Sequence, residues 1–148
     1  KRETAEKLGA NLCLDPTEKG IQIKRRLRKE GFSWIQTVIE CVGRPETIEQ
    51  AIELADPNAV VMMFGLTRPE ESISVKPFQI FQKELELKAS YINPGTQQRA
   101  LDLINSGRLD VSSMVYGVFG LEKLPEILSD PALRAKGKII ISPEEQEI

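Results

Sequence analysis

The chain has 148 residues, a hydrophobic content of 41% and a formal net charge of −2, which suits one domain or a domain with a small appendage. That balance excludes the basic footprint of a nucleic-acid binder, and no apolar run is long enough to span a membrane. Histidine is absent, which excludes histidine triads, cysteine–histidine pairs and imidazole metal sites from these residues.

Residues 1–9 have helical spacing, with Ala5 and Leu8 on one side and Gly9 as a stop signal. NLCLD (11–15) predicts a short strand closed by Asp15-Pro16. Residues 18–30 predict a helix whose basic cluster, KRRLRKE (24–30), forms a solvated face. WIQTVIEC (34–41) predicts a strand with a β-branched centre buried on both faces. Pro45 then falls at a first helical position and Glu46 in the first turn. Ile48, Ala51, Ile52 and Ala55 recur at i, i+3, i+4 and i+7, the stripe of a helix packed on one side.

AVVMMFG (59–65) is a continuous apolar run, typical of a central parallel strand. Residues 77–83 predict a helical turn, and LELKASYI (85–92) alternates like a strand nearer an edge. TQQRALDLINSGRL (96–109) predicts a helix ended by Gly107. SSMVYGVFG predicts a further strand, LEKLPEILSD a short helix interrupted by Pro125, and GKIIIS (137–142) a last strand before the polar tail PEEQEI.

Strands alternating with helices at this spacing imply right-handed crossovers and a parallel sheet. Ligands of such sheets bind outside the carboxyl ends of the strands. Two of those ends are Cys41-Val42-Gly43-Arg44 and Phe64-Gly65-Leu66. Their glycines serve either a sharp strand-to-helix turn or the close approach of a ligand, and spacing alone leaves both readings open. The two cysteines, Cys13 and Cys41, each sit in an apolar run and read as small buried hydrophobes in a reducing, cytoplasmic setting. The opening KRETAEKLGA starts on a helix face without a cap, so the chain reads as cut from something longer.

The segments AEKLGANLCLDP, VIECVGRPETIEQAIEL, VVMMFGL, QKELELKASYINP, ALDLINSGRLDVSSMV and GKIIISP, in this order and spacing, resemble the medium-chain, zinc-type alcohol dehydrogenase family. The stretch from 82 to 112 is most similar to its polyol branch, the sorbitol-dehydrogenase-like enzymes. The resemblance covers essentially the whole chain as a carboxyl-terminal part. It implies an α/β fold: an incomplete doubly wound parallel (Rossmann) sheet with the carboxyl-terminal tail of the catalytic domain. Residues 1–109 would be the partial dinucleotide-binding domain and 110–148 the catalytic-domain segment. The Gly-rich loop, the acidic ribose-binding residue and the zinc ligands would lie upstream.

The resemblance also implies site residues. Lys1 falls where the family often has a basic residue near the adenosine ribose. Cys41, Val42 and Arg44 match the segment lining the adenine and nicotinamide-ribose side. Phe64, Gly65 and Leu66 match the backbone beside the nicotinamide, whose carboxamide can bond their peptide groups. Ser90 and Ile92 match positions that close over the nicotinamide, and Lys138 a basic position near the cofactor. Lys1 and Lys138 read equally well as solvated lysines, and Glu40 either bonds cofactor or caps a turn. Asn58 and Ala89 replace glycines usual in the family; Asn58 tolerates the left-handed conformation, whereas Ala89 requires an unstrained backbone.

The implied parent is a zinc-dependent enzyme using NAD or NADP to exchange hydride with a small alcohol or polyol, with no nucleic-acid or membrane partner. A homodimer or homotetramer is expected through strand 87–92. The alternatives are a zinc-free quinone or enoyl reductase of the same superfamily, and a non-catalytic nucleotide-binding module. These residues alone are expected to hold no zinc, to turn nothing over and to bind dinucleotide weakly. They should also leave strand 11–15 without its main partner and strand 34–41 with an apolar edge.

Overall fold

The stripe at Ile48, Ala51, Ile52 and Ala55 organises the larger of two compact units in the computed structural model, whose described residues are 1–15, 17 and 20–143. Pro16, the expected start of a helix at 18 and the tail from 144 lie outside the described residues. One unit comprises residues 13–94; the other comprises 1–12 and the chain from 95 onward.

In the unit 13–94, three parallel strands form one sheet: β1 (Thr37–Glu40), β2 (Val60–Met63) and β3 (Glu86–Ala89), in that order. Thr37 pairs with Val60 and Val60 with Glu86, so the three carboxyl ends lie in register at one end of the sheet. Helix α2 (Gly20–Lys29) precedes β1, α3 (Pro45–Leu54) joins β1 to β2, and α4 (Pro77–Lys83) joins β2 to β3. Pro45 and Pro77 each stand in a helical first turn, where a missing N–H breaks no helical bond.

The core is Ile48, Ala51, Ile52, Ala55, Ala59 and Val61, flanked by Val38, Met63, Ile73, Val75, Ile80 and Leu85. Burying a side chain such as Ile52 or Val61 stabilises by roughly 1.5–3 kcal/mol. Asn58, at φ +61, turns α3 into β2 in the left-handed conformation expected of it, and Ala89 is free of positive φ. Glu84 ends α4 at φ +50.

The other unit begins with α1 (Arg2–Lys7), closed by Gly9 at φ +102. Its later part holds α5 (Gln97–Asn105), then β4 (Val115–Phe119), α6 (Leu124–Ser129), α7 (Pro131–Arg134) and β5 (Lys138–Ile141). Strands β4 and β5 pair in parallel, with a bulge between Val115 and Gly117. Gly107, at φ +70, follows α5 as expected. Asp130 caps α7, its Oδ1 accepting from the amides of Ala132 (2.8 Å) and Leu133 (3.2 Å).

Several expectations are corrected. Residues 11–15 form no strand. Among the described residues no strand pairs with that segment, so its backbone has no ladder to join. Strand β1 is not buried on both faces: Ile39 is 62% exposed, and Trp34 just before it is exposed as well. One cause serves for both, since β1 is an edge of this sheet. Cys41 is exposed and Cys13 only partly covered, so neither is a buried hydrophobe. Pro125 does not interrupt a helix; it sits in the first turn of α6, which a 3₁₀ turn at Leu121–Lys123 leads into. The basic cluster is not wholly solvated, because Lys24 is drawn into a part-buried ion pair with Asp56.

Candidate functional site

The carboxyl end of β1 is built around one carboxylate. Glu40 is only 5% exposed. Its Oε1 accepts from the amides of Val42 (2.6 Å) and Gly43 (2.9 Å) and from the Thr47 hydroxyl (2.8 Å). Its second oxygen lies 3.2 Å from the Gly43 amide. Thr47, in the first turn of α3, also accepts from the Arg44 amide at 3.3 Å. Glu40 therefore caps the turn into α3.

The backbone carbonyl of the same residue accepts from the amides of Phe64 (2.9 Å) and Gly65 (2.8 Å). The turns after β1 and β2 are thus held together, and the two glycines are what lets them meet. Gly43 has φ +76, and a Cβ there would lie 2.7 Å from the backbone N and C of Leu66. A Cβ on Gly65 would lie 2.7 Å from Cα of Gly43 and from Oε2 of Glu40.

Around this buried junction the surface is apolar and open. Val42 is 62%, Phe64 48% and Leu66 79% exposed. The Phe64 carbonyl and the Leu66 amide take no hydrogen-bond partner among the described residues. The site thus presents one backbone acceptor and one backbone donor, two residues apart, beside exposed apolar side chains at the carboxyl end of the middle strand.

Residues 1–106 match the family model described as zinc-binding dehydrogenase. The chain belongs to the zinc-binding dehydrogenase family. Among its relatives, galactitol 1-phosphate 5-dehydrogenase of Escherichia coli K12 is 26% identical over 152 aligned positions, covering 97% of this chain and 43% of that protein. D-altritol 5-dehydrogenase of Agrobacterium fabrum is 27% identical over 135 positions, covering 90% and 39%. A Sinorhizobium meliloti 1021 protein assigned to the zinc-binding dehydrogenases, solved with NADP bound, superposes with a TM-score of 0.85 at 29% identity, over 96% of this chain and 42% of that one. The chain thus spans about two fifths of the length of the relatives it matches.

Of the residues that the sequence pointed to in this zinc-binding dehydrogenase chain, Cys41, Val42, Arg44, Phe64, Gly65 and Leu66 lie on the two adjoining turns. Ser90 and Ile92 follow the third strand of the same sheet. Ser90 donates its hydroxyl to Oδ1 of Asn93 at 2.8 Å, and Ile92 is exposed at φ +57, a rare conformation for a β-branched residue. Lys1 and Lys138 belong to the other unit. There, with Thr4, Ser113, Arg134 and Lys136, they line a cavity of about 400 Å³. Lys136 donates to the Tyr116 hydroxyl at 3.0 Å, which raises its pKa.

Sequence reasoning missed the far end of α3. There the Lys83 ammonium donates to the carbonyls of Ala55 (2.7 Å), Glu53 (3.1 Å) and Ile52 (3.3 Å). Burial lowers its pKa and the nearby Lys24 charge adds to that, against the pull of Asp56 and Glu53. Lys24 bonds Oδ1 of Asp56 at 2.9 Å, while Oδ2 accepts from the Ile35 amide at 2.9 Å. Burial would raise the Asp56 pKa, but these two bonds and the charges of Lys24 and Arg28 outweigh it and hold the carboxyl below its ordinary value. Lys83 in the last turn of α4 and Asp56 just past α3 are ordinary surface letters, and only the folded chain brings them together.

Zinc does not fit these residues. The chain has no histidine, and among the described residues no group of three or more His, Cys, Asp or Glu could hold a metal ion. No helix among them is long and apolar enough to cross a membrane.

Proposed function

We propose that this chain forms the nicotinamide-binding part of a zinc- and NAD(P)-dependent dehydrogenase that exchanges hydride between a small alcohol or polyol and the cofactor. The observation that carries the reading is the unpartnered pair at Phe64 C=O and Leu66 N–H. A carboxamide offers the complementary N–H and C=O, and an exposed peptide donor and acceptor at the carboxyl end of a parallel strand can take such a ligand in place of water. Val42, Phe64 and Leu66 would give the ring an apolar wall, with Cys41 and Arg44 on its ribose and adenine side. Ser90 and Ile92 would close over it. The nicotinamide supplies the hydride chemistry; these residues orient the ring and keep water from it.

The zinc ligands of the proposed enzyme lie outside this chain, and residues 1–109 and 110–148 serve its dinucleotide-binding and catalytic domains respectively. The polyol names of the E. coli and A. fabrum relatives support that substrate class. A cytoplasmic enzyme that pairs as a homodimer or homotetramer through strand 87–92 belongs to the same reading.

The test is titration of the full-length protein with NADH and NADPH, followed by reduced-nicotinamide fluorescence, together with oxidation of a panel of hexitols and their phosphates. Saturable binding of at least one cofactor, and cofactor-dependent oxidation of at least one polyol, are expected. No saturable binding of either cofactor would refute the reading.

A further inference from the structure

We infer that Glu40 is a positioning residue for the nicotinamide end of the cofactor, acting through the two turns that it grips and touching no ligand itself. The inference rests on the proposed cofactor site and deepens it. A buried carboxylate in a ligand-binding region invites a direct role, but its bonding leaves little capacity for one. Oε1 already receives three donors, from Val42, Gly43 and Thr47, and Oε2 faces Gly43 and Gly65. A carboxylate only accepts, so these inward bonds take up the oxygen that a ligand would otherwise use.

What the residue does control is the separation of the turns. Its side chain fixes the peptide planes at 42 and 43, and its carbonyl fixes those at 64 and 65. The exposed groups at Phe64 and Leu66 are thus referred to the turn at 42–43 through one residue. A hydrogen bond weakens steeply when its donor and acceptor lose alignment. A loosened junction should therefore lose selectively the recognition made by peptide groups 64–66. Binding made elsewhere on the cofactor should persist. Thr47 is the secondary brace, sharing its hydroxyl between Glu40 and the carbonyl of Arg44 at 2.9 Å.

The experiment compares wild type, Glu40→Ala, Glu40→Gln and Thr47→Val in the full-length protein. Two readouts are taken: amide hydrogen exchange at Val42, Gly43 and Gly65 against the core amide of Val61, and dissociation constants for NADH and for ADP-ribose, which lacks the nicotinamide ring. In Glu40→Ala, exchange at the three turn amides should rise at least tenfold while that of Val61 stays within twofold. NADH should weaken at least tenfold and ADP-ribose less than twofold. Glu40→Gln keeps an acceptor in place and should restore NADH binding to within threefold of wild type. Thr47→Val, which retains the carboxylate and its backbone bonds, should fall between, and it carries the test if Glu40→Ala does not fold. Unchanged exchange at 42, 43 and 65 would overturn the inference whatever the cofactor does. Equal weakening of NADH and ADP-ribose would overturn it too. A wild-type protein that binds ADP-ribose but neither reduced cofactor would sink the proposed site, whereas the exchange readout judges Glu40 on its own.

Discussion

Replacing Gly43 by alanine tests the closeness of the two turns directly. Two costs add at this position. Alanine at φ +76 is in the left-handed region, which costs roughly 1–2 kcal/mol. Its Cβ would also press on the backbone of Leu66 at 2.7 Å, and backbone cannot swing aside as a flexible side chain can. Such overpacking costs roughly 1–3 kcal/mol. The reduced freedom of the unfolded chain returns about 0.4–1 kcal/mol, so the net loss should be about 1–4.6 kcal/mol. Gly31 supplies the control: its φ is +88, but nothing lies within 4 Å of an added Cβ. Gly31→Ala therefore carries the conformational cost alone, and the two variants should differ by roughly 1–3 kcal/mol. Urea unfolding followed by the fluorescence of Trp34, which lies in the same unit as both glycines, measures the difference. With a slope near 2 kcal/mol/M, Gly43→Ala should unfold about 1 M earlier than Gly31→Ala. Equal midpoints for the two variants would show that the turns do not pack as described.

Three further outcomes are expected. Lys83→Met removes a charged donor from three carbonyls at the end of α3 and should cost about 1–3 kcal/mol in the same urea assay; a neutral effect would mean that water replaces the ammonium there. Acid titration of stability should show a component owed to Asp56, whose folded pKa lies below its ordinary 3.8. That stability is fully present above the unfolded value and is lost as pH falls through the folded one, so Asp56→Asn should flatten the decline below about pH 4. Self-association through β3 is tested at its outer edge. Glu86 and Ser90 turn their amides towards β2, which leaves those of Leu87 and Ala89 facing outward. Ala89→Pro should shift sedimentation towards monomer, and wild type that is monomeric at every concentration would end the idea.

Local rules made α3, β2 and α4 legible, because each satisfies several at once. Pro45 and Pro77 mark helix starts, the stripe from Ile48 to Ala55 has one period, and the run before Gly65 is apolar without alternation. Asn58 was legible for a similar reason, since few other residues bear φ +61 so cheaply. What was not legible depended on partners far along the chain. Strandedness at 11–15 requires a neighbouring strand, and the burial of Ile39 requires a covering surface; neither is a property of those letters. The Pro125 error had a different origin, in taking a proline as a breaker without asking where the helix begins. The candidate site divided along the same line. The glycines and their turn positions could be read, while the inward turn of the Glu40 carboxylate could not, because its three donors come from backbone geometry and a threonine seven residues on.

Recognition through peptide groups redistributes what the sequence must specify. Phe64 and Leu66 would offer a ligand their carbonyl and amide, which every residue except proline possesses in full, so many side chains would serve at those two positions. The demand falls instead on residues that set how closely the two turns approach. Gly43 and Gly65 must lack a Cβ for the turns to meet, and Glu40 must accept three donors where a shorter acid would fall short of Thr47. Helix α3 carries the same logic to its other end, where Lys83, Lys24 and Asp56 occupy the carbonyls and charges that would otherwise let that end fray. The helix is pinned at its amino end by Thr47 on Glu40 and at its carboxyl end by the lysines. Its packed stripe then fixes β2 beneath it through Val61, and with β2 the position of Phe64. The specificity of such a site is written in two close-packed glycines, one buried carboxylate and a helix held at both ends, beside the surface that the ligand meets.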